Sequence, residues 1–366
     1  MSCRGWSSDA YWAARVVKEL EQGGHEAILC CRAGSQRVVE WAREMGVTRL
    51  KGLQLARGLS PRADVSDLAR LRSWLPQVDL IHVHRGKEHW LGALANRLCR
   101  APRPLVRTRH IVQAVRSHAA NRWLYRTATD LVITVTHAIA RQYVASGLLP
   151  AERVVTLPGG ADTAVFSPGV DGHPLRRALG IGDDEPLIGM VSGFRVMKGH
   201  AVVVEAMARL AREGLRPRVL FVGQGSHEAA IRGAITLAGL QKQFTFGGFL
   251  PDLPQAIAAM DIGLYVPLES DGMSRVIFEC LAMGCPLIAS RVGVVPEILA
   301  DGREALLVPA GDPGSLALAI RRLLEAPGFA RTLGQAGRAL TAERYSGAHV
   351  SDRLIGLYTD LLRERA

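Results

Sequence analysis

Residues 269–290 combine a glycine, a carboxylate and a short apolar run in one stretch of chain. Gly272 allows the backbone to turn sharply, and Ser274 is a suitable N-cap for a helix over residues 275–283. Free backbone amides at such a helix start bind phosphate or sugar oxygens. The spacing therefore predicts a ligand site at the start of this helix.

Glu279 lies one turn inside the predicted helix and has two interpretations. Its carboxylate could accept hydrogen bonds from a ribose diol lying across the first turns. Alternatively, Arg275 stands four residues earlier, the spacing of a solvated helix salt bridge. The apolar run at 285–290 suits a buried parallel strand. That strand places the helix start at the sheet edge where doubly wound folds bind ligands, which favours the ligand interpretation.

Strand-like and helix-like segments alternate along the rest of the chain. Helical periodicity is clear at residues 11–22, 201–212, 227–238 and 316–324. Alternation of this kind predicts parallel sheets with helices on both faces. The predicted strands are 27–31, 80–84, 105–109, 131–135, 154–157, 187–191, 218–222, 244–246, 262–266, 287–289 and 305–308.

The length of 366 residues exceeds the size at which one core usually stops growing, so we expect two domains. The Gly- and Pro-containing link after Pro168 predicts the boundary. The first domain then covers residues 1–168 and the second 169–345. A C-terminal helix over about 346–366 is expected to pack back on the first domain.

Composition indicates a cytoplasmic protein. No apolar run approaches the roughly 20 residues of a membrane-spanning helix, and the first residues lack the apolar region of a signal peptide. The six cysteines show no Cys-x-x-Cys pairing, which is typical of reduced thiols in a cytosolic enzyme.

Positive charge is concentrated in the first half. Residues 1–168 carry 24 Lys and Arg against 13 Asp and Glu, whereas the remainder carries 21 of each. An anionic membrane surface or a lipid-linked acceptor would explain this excess. Nucleic acid is disfavoured, because the basic residues lack aromatic interleaving and a known motif. A generically basic, arginine-rich surface is an equal alternative.

Several segments together resemble the retaining glycosyltransferases of family 4. Residues 159–168 resemble the interdomain element of that family, with Gly159 in place of the usual Asn. Residues 190–200 resemble its diphosphate loop, and residues 269–290 its donor-sugar signature. The resemblance implies the GT-B fold, which is an α/β fold of two Rossmann-like, doubly wound domains facing each other across a cleft.

The resemblance implies roles for residues of the second half. Lys198 matches the family lysine that holds the donor diphosphate, and Arg195 substitutes for the usual arginine, whose position is Gly193 here. Asp271 takes the place of the first signature glutamate and would hold sugar hydroxyls, while Glu279 would hold the ribose. The further donor-binding residues implied are Gly223, Gly248, Phe249, Gly272, Met273 and Ser274.

The first half resembles the family more loosely. His110 matches the family histidine that faces the donor sugar, and His84 is a candidate near the acceptor. The family's glycine loop corresponds to Gly5, Trp6, Ser7 and Ser8 on the acceptor side. The strand that should precede this loop is missing or reduced to residues 1–4.

The histidines at 82, 84 and 89 could in principle bind zinc, but no Cys or acid spacing completes a site. We therefore expect no metal and no cofactor beyond a nucleotide-sugar co-substrate. The function implied is retaining, metal-independent transfer to a saccharide or lipid-linked acceptor in lipopolysaccharide, envelope polysaccharide or glycolipid synthesis, with the enzyme peripheral on the inner face of the membrane. Two alternatives are a catalytically weakened glycosyltransferase-like binding subunit and a nucleotide-sugar epimerase of the same fold.

Overall fold

A computed structural model describes residues 7–250, 252–270, 272 and 274–365. The chain forms two compact units: Met1–Gly159 with Gly347–Ala366, and Gly160–Ser346. The division between Gly159 and Gly160 lies nine residues before the boundary expected after Pro168. The difference arises because Ala161 donates its backbone amide to the carbonyl of Tyr345 at 2.9 Å, which ties the connecting segment to the second unit.

The first unit, called unit 1 below, contains two parallel sheets. β1 and β2 pair with each other, and β3, β4, β5 and β6 form a four-stranded sheet in chain order. The strands are β1 (Leu29–Arg32), β2 (Leu50–Leu53), β3 (Ile81–Val83), β4 (Leu105–Arg109), β5 (Leu131–Thr134) and β6 (Val154–Thr156). The helices are α1 (Ser8–Gln22), α2 (Gln36–Glu44), α3 (Pro61–Trp74), α4 (Gly86–Arg97), α5 (Ala119–Arg126) and α6 (His137–Ala145).

The last helix of the chain, Gly347–Arg363, belongs to unit 1 and is called the C-terminal helix. Tyr358 Oη and His82 Nδ1 are 2.5 Å apart. Ser351 donates its hydroxyl to Glu19 of α1, and Arg365, just beyond the helix, pairs with Asp130. These contacts join the end of the chain to α1 and to the strands that carry the histidines.

The second unit, unit 2, is one six-stranded parallel sheet of order β12-β11-β10-β7-β8-β9. Its strands are β7 (Leu187–Val191), β8 (Arg218–Val222), β9 (Phe244–Gly248), β10 (Ile262–Tyr265), β11 (Leu287–Ser290) and β12 (Leu306–Val308). Its helices are α7 (His173–Ala178), α8 (His200–Arg212), α9 (Glu228–Leu237), α10 (Leu253–Ala258), α11 (Arg275–Ala282), α12 (Val295–Ile298), α13 (Pro313–Glu325) and α14 (Pro327–Arg344).

Alternate residues of the unit 2 strands pack into two different apolar cores. Ile188 and Met190 of β7 belong to the core that α8, α9 and α13 cover, while Leu187 belongs to the core of α10 and α11. Both faces of the sheet are therefore buried, as expected of a parallel sheet between helices. The order of strands reverses between β10 and β7, which creates a topological switch point at their carboxyl ends.

The predicted strands are found within about two residues of their expected bounds, and β2 is an addition. This strand has one fully buried residue, Leu53, and contains Lys51 and Gly52. Such a half-exposed strand lacks the apolar run that marks the others. None of the helices in the described ranges is both long and apolar enough to cross a membrane. The first strand expected before residue 5 lies outside the described residues.

Candidate active site

The loops that follow β7 and β10 contact each other through their backbones in unit 2. Leu268 donates its amide to the carbonyl of Met197 at 2.8 Å. Gly199 has φ 82°, and a Cβ there would lie 1.9 Å from the carbonyl oxygen of Val266. Only glycine allows this approach. The contact places residues 195–199 beside the loop that leads to α11, at the switch point of the sheet.

The two basic side chains that are predicted to hold the donor diphosphate lie in the loop after β7. Lys198 is 9% exposed and ends a short 3-10 turn, whereas the side chain of Arg195 is exposed. His200 begins α8 directly afterwards and packs against the rings of Phe194 and Phe221. Burial, followed by the charges of His227 and Lys198, lowers the pKa of His200 to about 4. The site is thus positively charged through Lys198 and Arg195, with a neutral imidazole between apolar rings.

The glycines after β8 form a second close approach. Gly223 has φ 146°, and a Cβ there would lie 2.2 Å from the carbonyl oxygen of Ser192. A Cβ on Gly225 would lie 2.3 Å from the carbonyl oxygen of Phe194. Gly223 also donates its amide to the carbonyl of Gly248 at 2.7 Å. The carboxyl ends of β7, β8 and β9 are therefore held together at one edge.

The last residue of β9 and the residue after it lie at the same edge. Gly248 has φ 61° with no atom near its absent Cβ, and Phe249 is 55% exposed. An exposed aromatic beside an open glycine offers a surface for a flat ligand ring. Both residues are among those predicted from the sequence to bind the donor.

The start of α11 lies at its predicted position. Gly272 has φ 88°, as a sharp turn requires, and Ser274 stands at the N-cap. Ser274 therefore occupies the predicted N-cap position, is 5% exposed, and makes no side-chain capping hydrogen bond. Asp271 and Met273 lie outside the described residues, and their roles stay predictions.

Glu279 combines features of both interpretations. Its Oε1 lies 2.7 Å from Nε of Arg275, so the i, i+4 pair forms. However, the Glu279 side chain is 1% exposed and the Arg275 side chain 27% exposed, so the pair is not the solvated one considered above. A carboxylate is costly to bury without partners. This position therefore holds a buried carboxylate whose cation remains partly open to solvent.

On the side of unit 1, the start of α1 is joined to the start of α4. Ser7 is the N-cap of α1, and Ser8 is its exposed first residue. Arg85 donates to both carboxylate oxygens of Asp9, at 2.6 and 3.0 Å, and to Ser7 Oγ at 3.3 Å. Burial raises the pKa of Asp9, but the bonds from Arg85 and Ser7 outweigh it and lower the pKa to about 2. Gly5 and Trp6 lie outside the described residues.

Three histidines form a cluster at the carboxyl ends of β3 and β4. Nδ1 of His84 lies 3.1 Å from Nε2 of His110, and the two rings stack with centroids 5.3 Å apart. His82 stacks on His84 at 4.6 Å. The indole of Trp12 presents its edge to all three rings, at 5.3 to 5.7 Å. The structure thus brings His84 and His110 together, although 26 residues separate them.

The histidines of the cluster are neutral at physiological pH. Burial, followed by neighbouring positive groups, lowers the pKa of His82 to about 3 and that of His84 well below 6.5. Burial also lowers the pKa of His110 to about 4, against the opposing charge of Asp9. His110 Nδ1 is buried and has no hydrogen-bond partner among the described residues. A neutral imidazole nitrogen in that position can donate to, or accept from, a hydroxyl.

The sequence did not predict three residues around these histidines: Trp12, Arg85 and Tyr358. Asp9, which Arg85 binds, is the acid that ends the segment resembling the family's glycine loop. Arg85 directly follows His84 in the sequence, but Trp12 and Tyr358 are distant in sequence from His84 and His110 and share no recognisable motif with them. The tip of β3 could have suggested Arg85, because side chains after a parallel strand meet at the sheet edge. Among the described residues, no group of three or more His, Cys, Asp or Glu side chains is arranged to hold a metal ion.

Comparison with known proteins identifies the family of each half of the chain. The family model described as Glycosyltransferase Family 4 matches residues 10–165, and that described as Glycosyl transferases group 1 matches residues 185–326. The chain is 29% identical over 313 residues to a D-inositol 3-phosphate glycosyltransferase of Acidothermus cellulolyticus, covering 78% of this chain and 68% of that protein. It is 28% identical over 321 residues to a 2-deoxystreptamine glucosyltransferase of Streptomyces kanamyceticus, covering 82% of each.

Solved structures show the same fold. A glycosyltransferase from Rickettsia africae superposes with a TM-score of 0.86 at 19% identity, covering 96% of this chain and 94% of that one. Anabaena HepE, solved in complex with UDP, superposes with a TM-score of 0.83 at 20% identity, covering 97% and 96%. The expected GT-B fold, with two Rossmann-like domains, is confirmed. Through its two matched halves and its fold, the chain belongs to the group 1, family 4 glycosyltransferases.

Proposed function

We propose that this chain is a retaining, metal-independent glycosyltransferase that moves a sugar from a nucleotide-sugar donor to an acceptor hydroxyl. The observation that carries the proposal is the convergence of Lys198, Gly223 and the start of α11 at one edge of the unit 2 sheet. Two similar proteins support this class of donor. Anabaena HepE was solved in complex with UDP, and a mannosyltransferase of Mycolicibacterium smegmatis, 27% identical to the chain, is GDP-mannose-dependent.

The donor diphosphate is the leaving group. Lys198 and Arg195 neutralise its growing charge, and Lys198 does so from a largely buried position where electrostatic stabilisation is strong. The bond between the anomeric carbon and the phosphate oxygen breaks while the acceptor oxygen bonds to that carbon on the same face. The acceptor proton passes to the leaving phosphate oxygen, so the step needs no separate base.

We assign the remaining donor contacts to α11 and to the residues around β9. Glu279 holds the ribose through its buried carboxylate, with Arg275 as its counterion. Ser274 presents its backbone amide to the sugar beside the turn at Gly272, whose own amide donates to Ser270 Oγ at 3.4 Å. The resemblance to the family assigns Gly272, Asp271 and Met273 to the same group. Gly248 and Phe249 receive the base.

The acceptor side lies in unit 1. The neutral His110 contacts the transferred sugar through Nδ1, and His84 orients His110 from 3.1 Å. The resemblance to the family assigns the acceptor to Ser7 and Ser8, and to Gly5 and Trp6 before them. We place the reaction in the synthesis of lipopolysaccharide, envelope polysaccharide or glycolipid. The lipid-linked or saccharide acceptor is met at the inner face of the cytoplasmic membrane, with the basic unit 1 toward an anionic lipid surface.

A panel of nucleotide sugars tests this proposal. Purified protein is first screened for a rise in melting temperature with each compound, and the compounds that bind are then tested for transfer to saccharide and lipid-linked acceptors. We expect one donor class to bind and to give a glycosylated product. A change in the donor sugar without transfer would instead identify an epimerase, and binding without any turnover would identify a binding subunit.

A further inference from the structure

The loop between β2 and α3 presents an unusually exposed apolar side chain. Leu59 is 98% exposed, more than any other large apolar residue among those described, and Val65 on the first turns of α3 is 65% exposed. Arg57 and Arg62 flank them, and both are exposed. In the described part of the chain, neither guanidinium makes a hydrogen bond or an ion pair. These four residues are called the Leu59 patch.

This exposure is not the result of a loose loop, because residues 54–60 are held from within. The fully buried carboxylate of Asp67 accepts two backbone amides at the start of the loop, at 2.7 and 2.8 Å. Lys87 donates to two carbonyls near the tip, at 2.6 and 2.7 Å. Leu55 is buried at φ 41°, a conformation that only surrounding contacts maintain. The loop thus presents Leu59 outward on a fixed support.

The support of the loop also belongs to the acceptor side. Lys87 lies on the first turn of α4, two residues after Arg85, which binds Asp9, and three after His84. The Leu59 patch is therefore connected, through one side chain, to the helix start that borders the candidate acceptor site.

Charge indicates what the patch contacts. Unit 1 carries 27 Lys and Arg against 15 Asp and Glu, whereas unit 2 carries 18 against 19. Residues 45–65 contain four basic residues and one acidic one, Asp64, whose carboxylate is paired with Lys87. An apolar side chain between unpaired guanidinium groups matches a surface of phosphates above acyl chains. A surface that docks into the groove of a protein partner would instead be expected to present a larger apolar face.

We infer that the Leu59 patch docks unit 1 on an anionic lipid surface, with Leu59 inserted among the headgroups and Arg57 and Arg62 bound to lipid phosphates. This inference rests on the proposed function, since it names the surface through which a lipid-linked acceptor is met. It assigns membrane contact to one loop rather than to the basic half as a whole.

The test is flotation of the full chain with vesicles of phosphatidylcholine alone, or mixed with phosphatidylglycerol, without any donor. We expect retention on the anionic vesicles only. Leu59→Ser should weaken this binding by about tenfold through lost apolar contact, and Arg57→Gln or Arg62→Gln by about fivefold each. Leu237→Ser and Arg331→Gln, at exposed positions of unit 2, are matched controls that should bind as the parent does.

Salt and nucleotide binding separate the possible outcomes. The arginine variants should lose part of the salt dependence, whereas Leu59→Ser should keep it. Equal binding by Leu59→Ser and Leu237→Ser would overturn the inference. Binding of the parent to neutral vesicles would also overturn it. So would a failure to bind any vesicle, which would leave the patch to a protein partner. All variants should keep the melting-temperature rise with UDP. Absence of a rise in the parent with every nucleoside diphosphate tested, UDP and GDP included, would instead contradict the proposed function.

Discussion

Burial determines how the key carboxylate of the donor side is interpreted. From sequence, Glu279 suited a ribose contact or a solvated pair with Arg275, and both depended on the same spacing. In the structure the pair exists, but the Glu279 side chain is buried and that of Arg275 is partly exposed. Burying an ion pair of this kind costs free energy of desolvation, so its presence at this position is consistent with a binding role for Glu279. Sequence spacing could not reveal this difference, because it is set by residues packed over α11.

The first prediction concerns the two cations after β7. Lys198→Ala should abolish the rise in melting temperature that UDP produces, because a buried charge-assisted contact to phosphate is worth about 1.5–3 kcal/mol. Arg195→Ala should reduce the rise without abolishing it, since Arg195 is exposed and its contact is screened. Thermal shift over a range of UDP concentrations measures both effects.

The control for this prediction is Lys242→Ala, which removes an exposed lysine elsewhere in unit 2. It should respond to UDP as the parent does. A full response in Lys198→Ala would show that the diphosphate is held elsewhere.

At the scale of elements, the strands of the parallel sheets were predictable because each is a short apolar run between turn residues. β2 escaped prediction because Lys51 and Gly52 interrupt its pattern. The histidine cluster was only partly predictable: Tyr358 reaches His82 from a helix 276 residues away in sequence. Contacts of that separation depend on how the C-terminal helix packs, which local patterns do not encode.

Gly223 tests the close packing of strand ends. Gly223→Ala should destabilise unit 2, because its Cβ would meet a carbonyl oxygen at 2.2 Å and its φ is 146°. It should also weaken UDP binding by displacing the loop after β7. Gly233→Ala is the matched control: this glycine lies inside α9 with nothing within 4 Å. That change should stabilise by about 0.5–1 kcal/mol, and denaturant unfolding measures both.

Tyr358 tests the connection of the C-terminal helix to the histidines. Tyr358→Phe removes the hydroxyl that bonds His82 and leaves a buried ring nitrogen unsatisfied, so we expect a loss of about 1–3 kcal/mol in unfolding free energy. Thr359→Val is the control, because among the described residues the Thr359 hydroxyl bonds only within its own helix, to the carbonyl of Ile355. Equal losses in both variants would indicate that the Tyr358 bond has no special weight.

At the scale of the whole molecule, neutral buried histidines couple stability to pH. Burial lowers the folded pKa of His82 to about 3 and that of His110 to about 4, from 6.5. A histidine with a lowered folded pKa contributes stability that is complete above its unfolded pKa and is lost as pH falls toward the folded value. We therefore expect the melting temperature to be steady above about pH 7 and to fall between 6.5 and about 4.

The slope of melting temperature against pH identifies which groups cause the loss of stability. His82→Gln should reduce the change in melting temperature over this interval, whatever it does to the absolute value. His25→Gln, at an exposed histidine of unit 1, is the matched control. The same slope in the parent and in His82→Gln would place the pH dependence on other groups.

The two-unit organisation also follows from the sequence in outline, since length and repeated strand–helix alternation favour two parallel-sheet units. The exact division between the units could not be predicted from the sequence, because the short segment after Gly159 pairs with residues near the end of unit 2. Sequence alone likewise cannot provide the stereochemistry of the reaction, which depends on where the acceptor hydroxyl lies relative to the departing diphosphate.

The most direct test of the account is the anomeric configuration of the product. Donor and acceptor found in the panel are incubated with the enzyme in excess chelator, and the new linkage is assigned by the proton NMR coupling of its anomeric hydrogen. Because Lys198 and Arg195 supply the charge that the leaving diphosphate needs, we expect full activity in chelator. Because the proposed step has no separate general base, which an inverting displacement requires, we expect a product with the donor's anomeric configuration. An inverted product, or activity that is lost to chelator and restored by magnesium or manganese, would contradict the account.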